Sequence, residues 1–413
     1  MNALTGERIG QPEPGLTAED LIARAAALRP QLRDEQAAAE ARGTYSLEMH
    51  EVFRKAGFYR TLLPRRFGGY EFEVPTFVRM VIEIARGCPG TGWCLALASG
   101  HCLQLGGLFS KEAQIAALWP DGEFAAPMKS VPKGTATRTS EGGWKIEGTW
   151  DYCSGAPYAT HAFLAVRLIE NGKSAGQGLV LVPRSDWTLL DDWRQRTFGM
   201  VASGSNSIKV DGAVIPDYFL VVGNLLSFES EQDTPGYSLH GNPMYAGNSV
   251  SFLQLEITSV LVGCAYAALD EYERLLRTKT VPGPNPVLRI ETPTYQRYWG
   301  LAAGKINAAE DVLLHCSETF MQICRDAAEG ESNQAERLMR INASTHQAVN
   351  LLWEAVELMF RTGGTSEGGQ NGTRMQRYYR DLSTARTNIG MQYETFAGMY
   401  AQQHLGIEVT RLT

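Results

Sequence analysis

Several kinds of chemistry are excluded by what the 413-residue chain lacks. Its seven cysteines (88, 94, 102, 153, 264, 316 and 324) are odd in number and include no CxxC pair, which argues against a disulfide framework or a structural zinc site and for reduced thiols. The seven histidines show no helix-face pair and no HExxH pattern, so no metal site is expected. No GxGxxG follows a strand-like stretch, no Walker A loop occurs, and the neighbourhood of Ser99 to His101 has no GxSxG elbow; Rossmann-type dinucleotide binding, P-loop chemistry and acyl-transfer hydrolysis are set aside. No run reaches the ~18–20 uncharged apolar residues of a membrane span, and Met1 to Gly15 is polar where a signal peptide would be apolar. Lys and Arg number 38 against 45 Asp and Glu, a net charge of −7, with no basic stripe that could follow a phosphate backbone. Neither nucleic acid nor membrane is an expected partner, and the expected location is the cytoplasm.

An ordinary globular composition remains, 44% hydrophobic and 20% charged, long enough for two or three domains. Residues 1–125 read as a helical domain. Leu21, Ile22, Ala25, Ala26 and Leu28 recur at helix spacing behind a Thr17–Asp20 capping box, a second helix runs from Ser46 to Gly57, a third begins at Val74, and Gly92 to Leu108 is apolar nearly all round. Residues 126–228 read as a β domain, because Trp144 to Trp150 and Ile208 to Val210 alternate apolar with polar and Phe163 to Val166 and Leu179 to Val182 form short apolar runs. After a polar stretch around Glu229 to Pro235, residues 229–413 return to helical periodicity in three long segments and a fourth from Tyr378 to Gly406, the pattern of a four-helix bundle. The paired carboxylates Glu19-Asp20 and Asp191-Asp192 fall at helix-start or turn signals and read as caps and solvated loops.

Three stretches in this order carry a resemblance: Gly142-Gly143-Trp144 leading to Trp150-Asp-Tyr-Cys-Ser154-Gly155; Phe198-Gly-Met-Val-Ala-Ser203-Gly-Ser205; and Arg361-Thr-Gly363-Gly364 followed by Met375-Gln-Arg377-Tyr-Tyr-Arg380-Asp381. From about Leu21 to Gly406 the chain resembles the acyl-CoA dehydrogenase fold, and within it the reduced-flavin-dependent monooxygenases of the two-component, hydroxyphenylacetate-hydroxylase-like type. The resemblance implies an α+β fold of N-terminal helices, a central β-barrel and a C-terminal four-helix bundle. It also implies a flavin wedged between the last two and a homotetramer that completes the site. The implied activity uses O₂ and reduced FMN or FAD, FMN being favoured, from a separate flavin reductase. A C4a-hydroperoxide would pass oxygen to a small molecule: an aromatic such as a phenol, polyketide or indole, or an amine nitrogen or sulfur.

A flavin ring needs an apolar slot and a few hydrogen-bond partners, and the segment from Trp150 to Gly155 offers both. The resemblance places Ser154 beside flavin N5; the plainer reading of Ser154-Gly155 is a strand-end turn. Ser203 and Ser205 are candidates for the flavin edge, or for a hairpin. Arg297, Arg377 or Arg380, and the Gly363-Gly364 loop are candidates for the phosphates, across a subunit boundary if need be; each arginine is also a candidate for a structural ion pair.

A dehydrogenase of this fold needs a carboxylate base. Its commonest position, eight residues beyond Asp381, is Ile389, and the alternative near Leu253 and Gln254 has only Glu256 close by, out of register. A hydroxylase base is also displaced: where several relatives carry a histidine this chain has Asn388, which hydrogen-bonds but is no base at neutral pH. His101, on an apolar helix with Trp93, is the remaining candidate base and substrate contact, or else a satisfied core histidine. Lys129 and Ser130 are further candidate contacts. An acyl-CoA dehydrogenase or oxidase using Glu256 and a flavin-free scaffold are the alternatives.

Overall fold

The computed structural model describes residues 8–224, 234–246, 249–331 and 334–409. The expected boundary between 228 and 229 lies outside the described residues, as does most of the polar stretch around Glu229. Seven helices open the chain: α1 (Ala18–Ala27), α2 (Arg29–Arg42), α3 (Leu47–Ala56), α4 (Val74–Gly87), α5 (Pro89–Ser99), α6 (Cys102–Leu108) and α7 (Lys111–Leu118). Thr17 and Asp20 form the reciprocal capping box of α1, and Ser46 accepts from the Met49 amide before left-handed Gly57 ends α3. The single helix expected from Gly92 to Leu108 is instead two, broken at Gly100–His101. There the His101 ring bonds the carbonyl of Ala126, and the Ala126 amide bonds that of Ala98. These two ties turn the chain where an uninterrupted apolar helix would have run on.

The middle of the chain is one seven-stranded sheet: β1 (Met128–Arg138), β2 (Trp144–Trp150), β3 (His161–Glu170), β4 (Lys173–Pro183), β5 (Thr188–Leu189), β6 (Ile208–Ile215) and β7 (Leu220–Val222). The order is β5-β6-β2-β1-β3-β4-β7, with β1 and β3 parallel and every other pair antiparallel. Among the described residues its edge strands β5 and β7 do not pair, so the sheet is open where a closed barrel was expected. The alternation in β2 puts Trp144, Ile146 and Trp150 inside.

The rest is helical: α8 (Pro235–His240), α9 (Val250–Thr278), α10 (Pro293–Ala328), α11 (Ala335–Gly363), α12 (Thr365–Gly368), α13 (Arg374–Ala385) and α14 (Tyr393–His404). α9 has the length and apolarity of a membrane span, yet 89% of its most apolar window is buried inside the protein, as befits the central helix of a bundle. Helices α9, α10 and α11 pack on one another as expected. The fourth position is filled by α13 and α14 in place of one long helix, separated by a turn that Asn388 caps through its Oδ1 and the Gly390 amide at 2.8 Å.

One junction ties the sheet to this bundle. Met200, left-handed at φ 54, donates its amide to Asp381 Oδ1 at 2.6 Å, and Gly199 lies so close to α13 that a Cβ there would come within 2.2 Å of the Arg380 carbonyl oxygen. Burial, reinforced by nearby Glu40, pushes the Asp381 carboxyl from 3.8 up to about 7. A carboxyl whose pKa is raised on folding holds its proton more tightly in the folded state than in the unfolded one. Through this group stability falls with rising pH between about 4 and 7, against the rise contributed by His161 and His240, whose imidazoles burial lowers to about 4. Thermal denaturation across that window should show Asp381→Asn gaining stability relative to the parent chain as the pH rises.

Candidate active site

A cleft of about 830 Å³ opens where the helical domain, the sheet and the bundle meet. Trp93 and Leu97 of α5, with His101 just beyond it, face it at four-residue spacing, so one helical stripe forms a wall. Val250, Leu253, Gln254 and Ile257 of α9, spaced at i, i+3, i+4 and i+7, supply a second. The start of β1 and the loops after β2 and before β6 supply the third, with Lys129, Ser130, Ser154, Ser203 and Ser205.

Four side chains are joined across that third wall. The Trp93 indole N–H donates to Ser154 Oγ at 2.9 Å; Ser154 Oγ lies 2.7 Å from Ser205 Oγ, and Ser205 Oγ 2.6 Å from Ser203 Oγ. Three hydroxyls carry three hydrogens, and two of these make the inter-serine bonds. The third then sits on Ser154, where it can point into the cleft, on Ser203 at the buried end, or on Ser205 when both neighbours donate to it. Gly155 makes this contact possible. Its φ is +87, and a Cβ would meet Ala98 Cβ at 2.8 Å and the Cys94 carbonyl oxygen at 2.9 Å, so the Ser154 turn packs directly on α5.

The inner end is closed by His101 and Glu256. His101 Nδ1 lies 2.8 Å from the Ala126 carbonyl oxygen, which can only accept, so that nitrogen carries the proton. Nε2 then faces Glu256 Oε2 at 3.4 Å. Burial lifts the Glu256 carboxyl above the usual range, with His101 opposing the shift. The outer end is different. Tyr152 and Phe198 are 55% and 61% exposed, and Lys133 and Arg196 pair with Asp151 and Asp192 at 2.7 and 2.6 Å.

The apolar walls fit a flat ring, the serine chain offers it a hydrogen-bonding edge, and the buried oxygens Glu256 Oε1, Asn342 Oδ1 and Thr384 Oγ1 have no hydrogen-bond partner among the described residues. Residues 255–393 match the acyl-CoA dehydrogenase C-terminal domain family. The chain is 26% identical over 397 residues to the oxygenase subunit HsaA of a flavin-dependent monooxygenase from Rhodococcus jostii (strain RHA1), covering 93% of this chain and 98% of that protein. It is also 26% identical over 371 residues to the oxygenase component of an FADH2-dependent resorcinol hydroxylase from a Rhizobium species, covering 86% and 87%. The solved structure of XiaF from a Streptomyces species in complex with FADH2 and glycerol superposes at a TM-score of 0.86 with 22% identity, covering 96% of this chain and 97% of that one. The chain has the acyl-CoA dehydrogenase-like fold.

Of the residues expected at the site, Trp93, His101, Lys129, Ser130, Ser154, Ser203, Ser205 and Asn388 all line this cleft. Trp150 does not. It is fully buried within the sheet, its indole donates to the Ala165 carbonyl at 2.8 Å, and Gly134 and Gly148 leave room for its ring. Arg377 and Arg380 are both held by Glu40, at 3.0 and 2.9 Å. The Gly363 carbonyl accepts from Arg289 at 2.7 Å, Gly364 lies beside that guanidinium, and Arg297 is exposed on the first turns of α10. None of these five positions (Arg297, Gly363, Gly364, Arg377, Arg380) lines the cleft of its own chain. Gln254 and Asn342 were not anticipated. Their signal is a polar side chain four residues along an apolar helical stripe from Val250 and Leu338.

Gly155→Ala is expected to destabilise the fold by about 1–3 kcal/mol, from the left-handed conformation and the clash with α5, and to part Ser154 from Trp93. Chemical denaturation and the tryptophan emission of the folded variant check both.

Proposed function

We propose that the chain is the oxygenase component of a two-component flavin-dependent monooxygenase that acts on a small aromatic molecule. The observation that carries this reading is the Trp93–Ser154–Ser205–Ser203 hydrogen-bond chain along one wall of an otherwise apolar cleft. A bound reduced flavin would supply the activation of O₂. The protein's share is to orient the ring, keep water out and hold protons at fixed atoms. Ser154 Oγ, its lone pair engaged by the Trp93 indole, turns its own hydrogen toward the ring edge in one of the three arrangements open to the serine chain. Leu97, Leu253 and Ile257 displace water from the ring faces. His101 and Glu256 hold a proton at the inner end, and Asn388, its Oδ1 committed to the Gly390 amide, offers only its NH₂ group.

The named relatives support the class of reaction: one is an oxygenase subunit and another hydroxylates resorcinol using FADH2. By the same reading the reduced flavin, FMN or FADH2, comes from a separate reductase in the cytoplasm. The phosphate-bearing end of the flavin would be met by Arg297 and the Gly363–Gly364 turn of another subunit in a homotetramer, because these groups do not reach their own cleft. The exposed Trp299 and Leu301 beside Arg297 suit such a contact.

Mixing the protein with chemically reduced FMN or FAD and oxygenated buffer is the direct test. The return of oxidised-flavin absorbance and the release of H₂O₂ should be delayed at least about tenfold relative to free flavin; reoxidation at the free-flavin rate would contradict the proposal. Ser154→Ala should fold and bind flavin but shorten that delay. One observation favours a second reading: Glu256 lies inside the cleft, where a dehydrogenase could use it as a base. Bleaching of bound oxidised flavin by an acyl-CoA would support that reading.

A further inference from the structure

The two ends of the cleft differ in what they can satisfy. Glu256 and Asn342, both lining the cleft, are 1% and 2% exposed, and among the described residues one oxygen of each, Oε1 and Oδ1, has no hydrogen-bond partner. Gln254, also on the cleft, makes long contacts through its Nε2, 3.5 Å to Thr258 Oγ1 and 3.8 Å to Met391 Sδ. A buried acceptor left without a donor is costly, so the two unpaired oxygens describe a complement that the described residues do not provide. The carboxyl is admitted by the absence of a side chain at Gly100, where a Cβ would come within 2.1 Å of Oε1. A carboxyl's last torsion is broad, so a donor arriving on the floor can meet either oxygen.

Charge narrows the complement further. The lysine and arginine residues that line the cleft are Lys129, Lys133 and Arg196, and each has an aspartate partner, Asp151 or Asp192, on the sheet side. Around Glu256 itself stand His101, opposite it, and the apolar ring of Phe77 from α4; the buried thiol of Cys102 on α6 is the other titratable group that feels its charge. A carboxylate pushed to this floor would lose its hydration and find no free cation.

We propose that Glu256, with Asn342 on the same cleft, determines specificity by accepting a hydrogen bond from an uncharged O–H or N–H at the leading end of the substrate, and that the floor rejects a carboxylate there. This rests on the oxygenase reading and names its substrate class: a neutral aromatic that enters donor first, leaving the rest of its ring beside the Ser154 wall. His101 acts as a positioning residue. Anchored through Nδ1 on the Ala126 carbonyl, it fixes the far side of the carboxyl.

The test compares binding of 2-naphthol, naphthalene and 2-naphthoate, read by quenching of tryptophan fluorescence without flavin. In the wild type, 2-naphthol should bind about tenfold more tightly than naphthalene, with 2-naphthoate no tighter than naphthalene. Glu256→Leu should bring the naphthol advantage to within about threefold, Asn342→Leu should reduce it, and Glu256→Gln, which keeps an acceptor oxygen, should preserve most of it. A merely structural role for Glu256 would weaken all three ligands alike and leave the ratios unchanged. The inference is overturned if 2-naphthoate binds as well as 2-naphthol, or if the advantage survives in whichever of the two leucine variants folds. Because binding is read without flavin, retained ratios alongside free-flavin reoxidation rates would count against the oxygenase reading alone, and lost ratios alongside slow reoxidation against this inference alone.

Discussion

The hydrogen bond from the Trp93 indole to Ser154 Oγ is the constraint on which the rest of the site depends. It joins a helix of the N-terminal domain to a loop of the sheet, and it is possible only because Gly155 lets backbone meet backbone there. With one lone pair of Ser154 engaged, its hydroxyl has few remaining orientations, and Ser205 and Ser203 extend the order inward. A donor whose direction is set before the ligand arrives needs no reorganisation when charge develops beside it. On the bundle side, Asp381 and the Met200 amide hold the neighbouring loop against α13. The two walls of the cleft are thus tied to its frame by separate bonds.

Burial gives the cleft its polarity. Aromatic and charged side chains gather where solvent reaches, around Tyr152, Phe198 and Arg196, while the inner end holds a carboxyl–imidazole pair and two amides with almost no water contact. Coulombic and hydrogen-bonding interactions are strongest where the medium is driest, so selection of a ligand belongs to the inner end. The paired ions at the outer end are exposed enough to be worth little individually.

How much of this could be read from the residues depended on whether the signal was local. The capping box at Thr17, the alternation of β2 and the periodicity of α9, α10 and α11 are set by near neighbours, and each forms where its pattern predicts. The break at Gly100–His101 is set by Ala126, 25 residues on, so the apolar run gave no warning of it. The split of the last bundle position into α13 and α14 turns on the side chain of Asn388, read as chemistry when its oxygen serves as a cap. Trp150 was misplaced for a related reason. A tryptophan beside Ser154-Gly155 suits a flavin slot by proximity in the chain, but strand alternation turns it into the sheet, where Gly134 and Gly148 make room for it. Glu256 was set out of register by counting along an alignment, whereas room for its carboxyl depends on Gly100, in the break between α5 and α6. Ser154, Ser203 and Ser205 were legible as separate motifs; only the fold shows them as one chain of hydroxyls reaching Trp93.

The central claim is that this chain of hydroxyls forms the edge against which a flavin ring is held. An anaerobic crystal structure with reduced FMN or FADH2 tests it most directly. The account predicts the ring between α5 and α9, with a ring heteroatom within hydrogen-bonding distance of Ser154 Oγ and the Trp93 bond intact. A flavin bound elsewhere, or a ring in the cleft that touches none of the three serines, would contradict it.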